Sequence, residues 1–144
     1  MGDRQSVLAQ LAVVLGEIAE VEIVVRSYLE VEFDITQYLQ SDLPLIVIPE
    51  PAEETFDEMT SQRSIMVLST KLLVYFLDWD IIPDAAKYEA LVKKIRDKIG
   101  NNFTLNDTAT ECRVASVSTI LGTMPVYNFN IALELKYYLS EKNV

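Results

Sequence analysis

RSIMVLSTKLLVYFLDW, running from Arg63 to Trp79, is the stretch that decides the fold of this chain. Ile65-Met66-Val67-Leu68 and Leu72 through Leu77 are apolar on both faces of an extended backbone. That pattern predicts a strand covered on both sides, central in its sheet. Ser69, Thr70 and Lys71 separate the two runs and mark a bulge or a change of environment. Seventeen extended residues are too long for the body of a small domain, so the stretch also predicts surface that meets another subunit.

A helix is predicted next, from Pro83 to Ile99, because proline suits the first helical position. Ala86, Tyr88, Leu91, Val92, Ile95 and Ile99 form its buried stripe, and Lys87, Lys93, Lys94, Arg96 and Lys98 lie mostly outside. Gly100 reads as the C-terminal cap. Thr104-Leu105 opens an extended segment, and Asn106-Asp107 reads as a turn. Cys112, Val114, Ser116 and Ser118 share one face of the following strand. Gly122 permits a bend. Tyr127, Phe129, Ile131, Leu133, Leu135 and Tyr137 then form the apolar face of a long last strand.

Upstream, Asp3 suits the cap of a first helix from about Arg4 to Ala19. Its stripe is Val7, Leu8, Leu11, Val14, Leu15 and Ile18, and apolar Ala12 and Val13 suggest cover on more than one side. From Val21 to Ile35 the period changes to two, which predicts a half-exposed strand about 50 Å long. Its apolar face includes Val21, Ile23 and Val25. Asp34 can cap a short helix that ends at Leu43-Pro44. Leu45 to Ile48 reads as a short buried strand. Ala52 to Gln62 is acidic and unpatterned and reads as a loop. The fold class is therefore α+β, a single domain over 1–144. Its mainly antiparallel sheet has long strands and is flanked by an N-terminal and a central helix.

The chain has 144 residues and a net charge of −10. Residues 1–62 carry 13 acids and 2 bases, whereas 63–144 carry 9 acids and 10 bases. A sequence-reading DNA binder should be basic, so that class is disfavoured. An acidic end and a neutral end suit head-to-tail stacking of copies. Nothing reads as a membrane helix or signal peptide, and folding in a cytoplasm is the expectation.

Chemistry is scarce. There is no histidine, the commonest general base and metal ligand. Cys112 is the only cysteine and reads as a small strand residue. The four glycines are scattered and build no phosphate-cradling loop. Asp78 and Asp80 flank Trp79; they read as strand terminators, with Asp80 assisting the helix start, rather than as a catalytic pair. Glu50, Glu53, Glu54, Asp57 and Glu58 lack the spacing of a metal loop. No enzyme activity, metal or cofactor is expected. Glu53, Glu54, Phe56, Asp57 and Met59 are candidate partner contacts, with apolar Phe56 and Met59 set in an acidic segment. Lys93 and Lys94 are the candidates on the helix, facing an acidic neighbour.

The order of these elements resembles the tail terminator proteins of long-tailed bacteriophages. Four features carry the resemblance. An N-terminal helix is followed by a long strand, and Ser41-Asp42-Leu43-Pro44 leads into the apolar Leu45 to Ile48. Leu72-Leu73-Val74-Tyr75-Phe76 leads into the Pro83 helix, followed by Ile99-Gly100-Asn101-Asn102-Phe103-Thr104-Leu105-Asn106. An alternating strand from Tyr127 to Tyr138 closes the chain. The resemblance implies a homohexameric ring at the head-proximal end of the tail, in the virion. That ring would stop growth of the tail tube and dock the head connector, so its partners would be itself, the tube protein and connector proteins. Genome DNA would pass through an acidic lumen without specific binding. The alternatives are another neck or minor capsid component, or a sheet-pairing binding module of adaptor or antitoxin type.

Overall fold

The computed structural model describes residues 4–27, 34–49, 53–59 and 63–140. Within them lie two helices, α1 (Arg4–Gly16) and α2 (Ala85–Asn101), and seven strands. The strands are β1 (Ile23–Ser27), β2 (Leu45–Pro49), β3 (Glu53–Met59), β4 (Arg63–Leu77), β5 (Glu111–Val117), β6 (Leu121–Thr123) and β7 (Val126–Ser140). The sheet order is β1-β2-β4-β7-β5, with β3 added beside β4 and β6 beside β7. Only β1 and β2 run parallel; every other pair is antiparallel. The α+β class read from the sequence holds.

The sheet is built on β4 and β7, which pair without interruption from Arg63↔Ser140 to Leu77↔Val126. At about 3.3 Å per residue, fifteen residues span roughly 50 Å. Alternation sorts their side chains. Met66, Leu68, Leu72, Val74 and Phe76 of β4 face the helices together with Tyr137, Leu135, Ile131, Phe129 and Tyr127 of β7. Both helices cover this one face. α1 supplies Val7, Leu8, Leu11, Val14 and Leu15, and α2 supplies Leu91, Val92, Ile95 and Ile99. Tyr88 meets Phe129 edge-on at 5.0 Å between ring centres, and its hydroxyl donates to the Ser118 carbonyl at 2.8 Å.

Among the described residues, the opposite face is covered at one end. The segment 34–43, with 3₁₀ turns at Ile35–Gln37 and Gln40–Asp42, lays Ile35, Tyr38 and Leu43 against Leu45, Val47, Leu73 and Tyr75. The Asp34 side chain caps the first turn, as its position in the sequence suggested, by accepting from the Thr36 amide.

Ser69-Thr70-Lys71 is not a bulge, since the β4–β7 ladder runs straight through it. It is the change of environment: β3 flanks β4 as far as Ser69, and β2 takes over at Leu73.

Several local expectations are corrected. Glu53–Met59 is a strand rather than a loop, since β4 satisfies its backbone and an edge position tolerates a run of acids. The predicted 21–35 strand is described only as β1, and Ile35 belongs to a 3₁₀ turn. Residues 28–33 lie outside the described residues, as does the expected Asp3 cap. β1 is not half-exposed in the expected sense: Val24 joins the helix-side core, while Ile23 and Val25 join the cluster beneath 34–43.

α1 ends three residues earlier than expected. Ile18 is still buried, because its amide reaches the Leu15 carbonyl. Val13 is exposed rather than covered. α2 starts at Ala85, not Pro83, because the Asp84 side chain caps it by accepting from the Ala86 amide. It runs through Gly100 to a cap at Asn102.

Thr104-Leu105 does not start a strand. Leu105, Asn106 and Asp107 all have positive φ, 48°, 58° and 66°. Two bonds between Asn102 and Asn106 and the full burial of Leu105 hold this left-handed turn. In β5 an irregularity between Val114 and Ser116 resets the alternation. Val117, not Ser116, therefore follows Cys112 and Val114 toward the core.

Candidate assembly surface

Seven residues connect β4 to α2: Asp78-Trp79-Asp80-Ile81-Ile82-Pro83-Asp84. Three large apolar side chains in this loop point outward. Trp79 is 63% exposed, Ile81 83% and Ile82 84%. This loop is not free, because its backbone is pinned from two sides.

Asp78 provides the first pin. It is 2% exposed, and its two carboxylate oxygens accept from the Asp80 amide at 3.0 Å and the Asp84 amide at 2.7 Å. Its own amide donates to the Pro125 carbonyl at 2.9 Å. The bond from Asp84 is the largest cause holding the Asp78 carboxyl below its ordinary value; the Asp80 bond and the charge of Lys87 act the same way, against burial. Tyr127 provides the second pin. Its ring is 3% exposed and its hydroxyl lies 2.7 Å from the Asp80 carbonyl and 2.8 Å from the Ile81 carbonyl. Asp78 is thus committed to backbone donors, consistent with its expected place at the end of the strand. Asp80 does not assist the helix start, a task that falls to Asp84.

Beside the loop lies a groove of about 350 Å³ between the first half of α2 and the Leu43-Pro44 turn. Leu43, Pro44, Phe76, Leu77, Ala90 and Leu91 line it, and Lys87, Lys94 and Glu20 stand at its rim. Lys94 pairs with Glu20 at 3.4 Å, and Lys98 with Glu17 at 3.1 Å. The basic face of α2 therefore meets an acidic neighbour within its own chain, at the end of α1.

The predicted contact residues fall into two places. Lys93 and Lys94 are exposed on α2, where Lys93 pairs with Asp97 at 2.6 Å. Glu53, Glu54, Phe56, Asp57 and Met59 lie on β3, along one edge of the sheet, with a register shift between Phe56 and Glu58. The structure does not gather the two groups into one site. The exposed trio of the β4–α2 loop was missed. Its signal was available as apolar residues without a period, between aspartates and a proline, joining a strand to a helix.

Cys112 is buried in β5, and burial, then the charge of Glu111, pushes its thiol up to about 12, so it is a poor nucleophile. Among the described residues no three or more His, Cys, Asp or Glu side chains gather as a metal site. Among the same residues no helix is long and apolar enough to cross a membrane. Compared with known proteins, the chain matches no family model, and no curated protein matches it.

Proposed function

We propose that this chain is a structural assembly protein that works as a tail terminator of a long-tailed bacteriophage. In this reading six copies form a ring at the head-proximal end of the tail, stop tube growth and present a face to the head connector. The observation that carries the reading is the fifteen-residue β4–β7 ladder, flanked on either side by short strands, β3 and β5. Ladders of this length with outer strands on both sides suit repetition of one subunit around an axis. The element order that prompted the resemblance, helix, strands, helix, strands, supports it further.

The acidic balance of the chain gives the ring a lumen that repels the phosphate backbone, so DNA slides through without being held. Charge reversal of lumen residues with no effect on assembly or infectivity would remove that part of the reading.

Light scattering after size exclusion, with negative-stain microscopy, tests the whole. The expected mass is six times the 16.3 kDa of the chain, with ring-shaped particles. A stable monomer at high concentration would overturn the proposal and favour a sheet-pairing binding module. A further test is addition to polymerising tail tubes, whose length should become fixed.

A further inference from the structure

We propose that the Trp79–Ile82 loop of one copy docks in the groove between α2 and Leu43-Pro44 of a second copy. The inference deepens the assembly reading by naming a contact, and it rests on that reading only in needing a second copy.

Loop and groove match in size, polarity and charge. The groove holds about 350 Å³, roughly twice the ~150 Å³ cavity that accepts a benzene ring. An indole or a pair of isoleucine side chains therefore fits. Its lining is mainly apolar, with Leu43, Pro44, Leu77 and Leu91, and it also carries Lys87, Lys94 and Glu20, of which Lys94 and Glu20 pair with each other. The loop offers apolar side chains interleaved with the exposed Asp80, so a carboxylate reaches Lys87 of the groove when the apolar groups enter. Its own groove leaves the loop uncovered, as the exposure of Trp79, Ile81 and Ile82 shows.

Pinning by Asp78 and Tyr127 means little conformational entropy is lost when the loop docks. The three side chains expose on the order of 400 Å², as much as the largest apolar patch on an ordinary monomer.

The test uses the full chain and two variants at exposed positions, the loop double variant Ile81→Asp/Ile82→Asp and the groove variant Ala90→Glu. Circular dichroism and urea melts establish that both fold. Mass is read by light scattering, and burial of the loop by emission of Trp79, the only tryptophan. The expected result is a wild type that associates and a blue-shifted Trp79. Both variants should raise the dissociation constant about 30-fold or more, the loss of a hot-spot contact, and move the emission to the red.

A wild-type mass of six copies that falls in both variants supports this inference and the ring together. A mass of two that falls to one supports this inference and overturns the ring. A mass of six unchanged in either variant leaves the ring standing and overturns this inference. A wild type that stays monomeric overturns both.

Discussion

Replacing Tyr127 with Phe removes one hydroxyl and leaves the rest of the loop's support untouched. The ring stays in its slot against Phe76, 6.1 Å away between centres, so no cavity opens. What is lost is a single proton shared between the carbonyls of Asp80 and Ile81. Both residues are exposed, so water can reach the freed carbonyls, and the net cost is that of an ordinary hydrogen bond, about 1 kcal/mol. For a domain of this size that lowers the melting midpoint by about 3 °C.

The local effect should be more telling than the global one. Trp79 sits next to the pinned carbonyl of Asp80, so acrylamide quenching and fluorescence anisotropy of this single indole report the loop directly. Tyr127→Phe should raise quenching and lower anisotropy in the dissociated chain. Amide exchange at Asp80 and Asp84, whose N–H groups Asp78 holds, should speed up about fivefold, the equivalent of about 1 kcal/mol. If the midpoint, the quenching and the exchange rates all match wild type, the loop is not held by Tyr127 and the preorganisation argument fails.

Thr70 is 4% exposed in the middle of β4, between Leu68 and Leu72, and its hydroxyl has no hydrogen-bond partner among the described residues. Thr70→Val keeps the shape, removes an unsatisfied polar group and should stabilise by about 1 kcal/mol in a urea melt, whereas destabilisation would mean the hydroxyl is partnered. Gly122 has φ 102°, and a Cβ there would stand 2.9 Å from the Val126 carbonyl oxygen. Gly122→Ala should therefore cost more than about 1 kcal/mol, and a neutral result would place the β6–β7 turn in another conformation. The folded-state pKa of Asp78 lies below its ordinary 3.8, so its stabilisation is complete above that value and is lost as pH falls through the folded value. Melts of wild type and Asp78→Asn should differ by a constant amount from pH 7 down to about 4 and converge below. A gap that stays unchanged at pH 2.5 would exclude the carboxylate as its source.

The main elements were legible in the sequence wherever the hydrophobic period was long and regular. β4 and β7 were each legible as long strands, and alternation put Phe129, Ile131, Leu133 and Leu135 on one face of β7, but their pairing with each other was not legible. The stripe of α2 was legible for the same reason, with the period changed to 3.6. Its ends were not. Pro83 and Gly100 carry strong local preferences, but Asp84 and Asn102 make the capping hydrogen bonds that set the boundaries.

Tertiary structure decided what has no period. β3 is a strand only because β4 offers it a ladder of backbone partners, which acidic composition alone cannot reveal. The left-handed run at Leu105 exists because a core position needs that side chain filled. The candidate surface belongs to the same class. In sequence Trp79 closes a strand pattern while Ile81 and Ile82 follow no period, and the three become a presented surface only because Asp78 and Tyr127, 49 residues apart in sequence, fix the loop backbone. Local pattern encodes which face of an element is apolar. Whether an apolar residue outside any element is buried or offered to a partner depends on contacts that only the folded chain brings together.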